Sequence, residues 1–195
     1  MNKIKQNKKR FFYPDEFEKM LDFLNKNGRF TAEGMINTGG RINEVRGFIK
    51  NPIFDNQRNN ITLTETKVRA RLGERRPDPR TIPVSKKYFN QLKKEITTHR
   101  VLSTNAFNIQ LRRACEKACI DNPEQFSSHN LRKTFATWML SLGMDGFRLA
   151  KHLGHTPNEL ARDYATNDVF NHKDKQIMRS IWKDLPDRLL PDRRF

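Results

Sequence analysis

The chain has 195 residues, and its 38 Lys+Arg against 22 Asp+Glu leave a formal net charge of +16. Such an excess makes a polyanion the expected partner, and the length suffices for one buried core without help from disulfides. No apolar run approaches the roughly 20 residues that span a bilayer and no signal peptide opens the chain, so an intracellular protein is expected.

In chain order, residues 1–10 hold Lys3, Lys5, Lys8, Lys9 and Arg10 with almost nothing apolar, and they read as a basic arm, solvated or in contact with phosphate. Pro14 and Asp15-Glu16 suit a helix start, and Phe17, Met20, Leu21 and Leu24 follow at helical spacing until Asn27-Gly28 stops the run. A second helical stretch from about Thr31 ends at Thr38-Gly39-Gly40, and Arg41 comes next. Between Pro52 and Val84 the pattern changes. Pro52-Ile53-Phe54, Ile61-Thr62-Leu63-Thr64 and Thr81-Ile82-Pro83-Val84 read as three short strands of an antiparallel sheet, joined by Asn-rich and Arg/Pro-rich turns.

Helical spacing returns in Tyr88, Leu92 and Ile96, and again in Phe107, Leu111, Ala114 and Ala118, before Pro123 breaks the series. Ser127 or Ser128 can cap a helix whose apolar stripe is Leu131, Phe135, Trp138, Met139 and Leu142, closing at Gly143. A short helix through Phe147, Leu149, Ala150 and Leu153 ends at Gly154. Thr156 and Glu159 then form a capping box around Pro157 for a helix carrying Tyr164. A final helix is expected to put Ile177, Ile181, Trp182 and Leu185 on one face. Cys115 and Cys119 stand one helical turn apart, but without further Cys or His ligands they are expected as buried, reduced thiols and not as a zinc site. With no internal repeat or low-complexity linker, the expected fold is a single α+β domain, mainly helical, with a small three-stranded sheet.

The chemistry concentrates between Ser127 and Tyr164. His129 and Arg132 are three apart in the first turns of a helix, where side chains of one face and the positive end of the helix dipole favour an anion. A lone His-x-x-Arg is weak evidence; the surrounding residues add the weight. A tyrosine that attacks a phosphodiester must lose its proton, and at neutral pH only on the order of a thousandth of a free phenol is ionised. Arg41, Arg132 and His155 are candidates for lowering that barrier and for neutralising the non-bridging oxygens of the transition state. Arginine suits the task because its fork is planar and permanently charged.

Together these segments resemble the catalytic domain of the tyrosine recombinases, the phage integrase family. Thr38-Gly39-Gly40-Arg41-Ile42-Asn43-Glu44 resembles the first family box, and His129-Asn130-Leu131-Arg132-Lys133-Thr134-Phe135-Ala136-Thr137 the second, with Leu153-Gly154-His155 and Tyr164 completing it. The resemblance implies that Arg41, Arg132 and His155 hold the scissile phosphate and that His129 braces it or handles protons. It also implies that Tyr164 is the nucleophile, and that Lys67, on the hairpin after Thr66, protonates the leaving 5′-hydroxyl. The reaction so implied is cofactor-free and metal-free transesterification on double-stranded DNA through a 3′-phosphotyrosyl link, carried out with other protomers in a tetrameric synapse.

Residues 11–185 would be the catalytic domain and 186–195 a tail able to dock on a neighbour, with the family's separate N-terminal core-binding domain absent. Ile177, Ile181, Trp182 and Leu185 are expected either in that docking face or in the chain's own core. Gly40 departs from the family, which has a larger residue there, and is expected to loosen the turn. The long hairpin carries Arg69, Arg71, Arg75, Arg76 and Arg80, expected to reach along a DNA groove or to lie solvated. His99, His152 and His172 match no motif and are taken as structural or exposed. The implied setting is a mobile element, virus or plasmid in the cytoplasm of a prokaryotic host. A DNA-relaxing enzyme of the type IB topoisomerase kind and an inert DNA-binding protein on the same scaffold are the alternatives.

Overall fold

The computed structural model describes residues 11–64, 79–156, 158 and 169–190. Lys67, Tyr164, the four hairpin arginines from Arg69 to Arg76 and the cap around Pro157 therefore lie outside the described residues.

Helix α1 (Pro14–Asp22) opens on proline, and Glu16 accepts a hydrogen bond of 3.0 Å from the Tyr13 N–H, which would otherwise be unsatisfied. It buries Phe17, Met20 and Leu21. Helix α2 (Lys26–Thr38) begins earlier than the periodicity indicated. The Asn25 carboxamide caps it by accepting from the Gly28 N–H at 2.8 Å, so Asn27 and Gly28 form a first turn and not a stop. Helix α3 (Ile42–Lys50) was not anticipated; it buries Ile42, Val45 and Phe48, a helical spacing legible in retrospect.

Strands β1 (Phe54–Asp55), β2 (Asn60–Leu63) and β3 (Arg80–Pro83) pair antiparallel in that order. Ile61 faces Ile82, and Leu63 faces Arg80. Ile53 stays outside β1 and is exposed.

Serines then start two helices, since Ser85 accepts from Tyr88 N at the head of α4 (Lys86–Glu95) and Ser103 from Ala106 N at the head of α5 (Thr104–Lys117). Past a 3₁₀ turn at Pro123–Gln125 come α6 (Ser128–Ser141) and α7 (Gly146–Leu153). Cys119 falls beyond α5 at φ 55° and is exposed, whereas Cys115 is buried; the helix stops too soon to carry both on one face.

Helix α6 is the hub. Its Leu131, Phe135, Trp138 and Met139 are fully buried. Trp138 meets Phe17 and Trp182 edge-on at 5.7 and 5.3 Å, and its indole N–H donates to Phe12 O at 2.9 Å. Helix α8 (His172–Trp182) packs into this same core: Trp182 donates to Ile36 O at 2.7 Å and lies edge-on to Phe135 at 5.4 Å. Leu185 sits on a separate short helix, α9 (Leu185–Leu189), because Lys183 at φ 56° turns the chain between them. Met178, Trp182, Leu185 and Leu189 thus complete the chain's own core.

Phe147, by contrast, is 72% exposed on the outer face of α7. Among the described residues no helix is long and apolar enough to cross a membrane.

Candidate active site

Two helix ends converge beside the head of α3. Helix α2 stops at Gly39, whose φ of 62° suits a residue without a side chain, and a Cβ there would come within 2.6 Å of the Phe135 ring. Gly40 is also closely packed, though less than Gly39, with Thr38, Leu63 and Val45 each 3.0–3.1 Å from where a Cβ would stand. The departure from the family pattern therefore makes a close-packed turn and not a loose one. The turn delivers Arg41 as the cap of α3, where Glu44 accepts from the Arg41 N–H at 2.7 Å.

Helix α7 ends in the same neighbourhood. Gly154, at φ 67°, allows the His155 N–H to reach back to Ala150 O at 2.9 Å, the closing bond of a Schellman turn. That bond sets where His155 leaves the helix.

Arg132, on α6, bridges these ends. Its side chain is 1% exposed, and a buried guanidinium survives only with partners for its protons and charge. Nη1 donates to Gly39 O at 3.0 Å and Nη2 to Leu153 O, so the cation sits against the negative ends of two helices. Glu44 lies 3.5 Å away. Nη2 also meets His155 Nε2 at 2.8 Å. A guanidinium cannot accept a hydrogen bond, so in this arrangement Nε2 is the acceptor and the ring proton is on Nδ1.

Glu44 is the anionic centre. Its carboxylate, 1% exposed, takes Arg41 Nη1 at 2.8 Å, Arg80 Nη1 at 3.0 Å on the same oxygen and Arg80 Nη2 at 2.6 Å on the other. Burial works against its ionisation, but the hydrogen bond and charge of Arg80, the charge of Arg132 and the Arg41 N–H outweigh it and hold the pKa at about 2. Three guanidiniums, those of Arg41, Arg80 and Arg132, thus gather around one carboxylate. Arg41, with 41% of its side chain exposed, is the member of this cluster that reaches furthest toward the surface. Such an arrangement attracts and binds an anion.

Of the expected site residues, Arg41, Arg132 and His155 are brought together around Glu44. His129, one turn before Arg132 on α6, is exposed. Lys67 and Tyr164 lie outside the described residues.

Arg80 differs from its sequence reading, and His152 takes the structural one of its two. Arg80 was grouped with the hairpin arginines expected to reach toward DNA or solvent. Its side chain is only 15% exposed and turns inward onto Glu44, with Nε donating to His152 O at 3.0 Å. Strand alternation was the available signal, since Arg80 shares a face with buried Ile82.

His152, expected as structural or exposed, is structural. It is buried, stacks on Phe135 at 5.0 Å and donates from Nε2 to Thr38 O at 2.9 Å, tying α7 to the end of α2. Burial, opposed by the Thr38 carbonyl and reinforced by the charges of Arg80 and Arg132, lowers its pKa to about 4, so the ring is neutral. Its position three residues after Leu149 on the buried face of α7 was the signal.

The family model described as "Phage integrase family" matches residues 10–170. Among solved structures, the chain is similar to the XerA recombinase, with TM-score 0.61 and 17% identity over 92% of this chain and 66% of that one. It is also similar to the Tn1549 transposon integrase in complex with transposon right end DNA, with TM-score 0.65 and 16% identity over 92% and 68% of the two chains. XerH site-specific recombinase, in a post-cleavage complex with its palindromic difH substrate, matches with TM-score 0.60 and 20% identity over 89% of this chain. The chain spans about half, 52%, of that XerH chain. No curated protein matches.

Proposed function

The chain belongs to the phage integrase family, and from that premise we propose that it catalyses site-specific DNA strand cleavage and rejoining. The observation that carries this reading is the cluster of cationic hydrogen-bond donors around Glu44, with Arg41 partly exposed and Arg132 and His155 in direct contact. A phosphodiester is the anion such a group fits, because a planar guanidinium meets two phosphate oxygens at once.

In the proposed reaction the Tyr164 phenolate attacks the phosphorus, a phosphotyrosyl bond forms on the 3′ side, and the bond to the 5′ oxygen breaks. Lys67 gives the departing oxygen its proton. A 5′-hydroxyl from another strand then attacks the phosphotyrosyl link and returns the tyrosine, so no external energy source is consumed. Arg41 and Arg132 neutralise the charge that grows on the non-bridging oxygens, where preorganised donors act most strongly. For His155 to donate to such an oxygen, Nε2 must exchange its present contact with Arg132 for a proton. His129 braces the phosphate from the exposed side of α6. Double-stranded DNA is the proposed partner, with further protomers supplying the second pair of strands. Residues 11–185 are the proposed catalytic unit.

The test is a nicked duplex carrying the target site, which traps the covalent intermediate because the short leaving strand diffuses away. Wild type should give a protein–DNA adduct on a denaturing gel, Tyr164→Phe none, and Arg132→Gln a rate lower by roughly a hundredfold. A wild type that leaves its target uncut, or a Tyr164→Phe variant that still forms adduct, would overturn the assignment.

A further inference from the structure

We propose that Asn108 and Arg112 of α5 are positioning residues for His129: they hold the peptide groups on either side of Ser127 and so fix where α6 begins and how its first turn presents the His129 ring. The inference rests on the phosphate-bracing role given to His129 above. It extends that role to a helix that carries none of the expected site residues.

A helix start needs outside partners, because its first N–H groups have no carbonyl one turn earlier to bond. At the head of α6 they come from two sources. The Asn130 side chain accepts from the Ser127 N–H at 2.9 Å and from the Ser127 hydroxyl at 2.8 Å, which closes the cap. That cap settles that a helix begins here, but not where it points, because cap and helix would move as one body. The direction is set from α5. Asn108 Oδ1 accepts from the Ser128 N–H at 2.8 Å, and Arg112 Nε donates to Phe126 O at 3.0 Å.

The two side chains stand four residues apart and leave the same face of α5. One takes an N–H and the other a carbonyl, and these belong to the two consecutive peptide groups that flank the Ser127 Cα. Since each peptide group is planar, φ and ψ of Ser127 are the only soft torsions between them. Holding both planes therefore fixes the cap residue in its extended geometry, at φ −148° and ψ 171°.

Burial makes these bonds hard to replace. Ser128 is buried, and Phe126 is fully buried and stacked on Phe12 at 4.2 Å, so water is a poor substitute for either partner. His129 follows Ser128 directly and is exposed, so the backbone beneath its ring is what Asn108 and Arg112 set.

The test is single-turnover cleavage of the nicked duplex at saturating DNA, with binding measured separately. Asn108→Leu keeps the size of the side chain and removes the acceptor. Its cleavage rate should fall by about tenfold or more while the DNA Kd stays within about twofold of wild type, because misplacing a group near the reacting atoms costs rate more than binding. Asn108→Asp retains an acceptor and should stay within about threefold of wild type in rate. In a His129→Gln background, Asn108→Leu should cost less than about twofold, since the group it places is already gone. A wild-type rate in Asn108→Leu, or equal losses with and without His129, overturns the proposal, because a residue that serves only the fold slows both backgrounds alike. Should Asn108→Leu fail to fold, Arg112→Met carries the same cycle.

The Hε1 signal of the His129 ring, followed by NMR as inorganic phosphate is added, gives a readout independent of cleavage. Its phosphate-induced shift should drop at least about twofold in Asn108→Leu, and an unchanged shift counts against the proposal. A wild type that leaves its target uncut but shows this drop keeps the positioning role and overturns the recombinase reading alone. A wild type that cleaves, with equal losses in both backgrounds, does the reverse.

Discussion

His152 shows how a single residue can sit outside every motif and still bind the site together. Its ring stacks on Phe135 and its Nε2–H holds Thr38 O, directly before the Gly39-Gly40 turn that sets Arg41. A histidine whose pKa falls from 6.5 to about 4 on folding stabilises the protein fully above the unfolded value. That stability is lost as pH drops from about 6.5 toward 4, because the unfolded chain binds the proton first. The depression corresponds to roughly 3 kcal/mol in total. Denaturant midpoints of wild type should therefore fall between pH 7 and pH 4.5. His152→Gln, which keeps an amide donor but does not titrate, should flatten the part of that slope above pH 5. Glu44 acts in a lower window, since its carboxyl is held down at about 2 and its contribution disappears only as pH falls from about 4.5 to 2. A wild-type slope confined below pH 4.5 would contradict the account of His152.

At the scale of elements, helix ends build the site. The C-terminal carbonyls of α2 and α7 point at one another across Arg132, and the left-handed Gly39 and Gly154 end both helices at that point. The two kinds of demand on glycine separate cleanly by mutation. Gly39→Ala meets a left-handed φ of 62° and a Cβ position 2.6 Å from Phe135, so strain and overpacking add to about 2–5 kcal/mol. Gly143→Ala meets φ 98° but nothing within 4 Å, and should cost only about 1–2 kcal/mol. Urea unfolding measures both, and equal losses would show that the crowding at Gly39 is relieved elsewhere. The Thr38-Gly39-Gly40-Arg41 turn and the Leu153-Gly154-His155 corner were readable in the sequence because glycine marks a backbone requirement locally. The start of α2 was not, because Asn25 and Gly28 settle it by a hydrogen bond that competes with the breaking tendency of Asn-Gly.

At the scale of the whole molecule, charge and core play separate parts. A net charge of +16 concentrates a polyanion near the surface, and binding to duplex DNA should drop by at least about tenfold between roughly 50 and 200 mM salt. Salt-independent binding would argue against phosphate contacts as its main source. The core depends on the C-terminal helix, because Trp182 packs on Phe135 and Trp138 and bonds Ile36, 146 residues away in sequence. Trp182→Ala should cost about 3–5 kcal/mol by urea unfolding. It should also disturb α6, whose Phe135 supports His152 and whose Arg132 lies one turn away.

The sequence by itself determined the helical and strand periodicities, the basic charge, the glycine turns and the family motifs, since each is a matter of residue type at short spacing. Only the tertiary structure decided that Arg80 faces Glu44 and not a DNA groove, that His152 is buried and that Trp182 belongs to the chain's own core. The physical reason is common to all three. A charged or amphipathic side chain goes wherever its partner charge, carbonyl or ring is found, and those partners lie 36, 114 and 146 residues away along the chain.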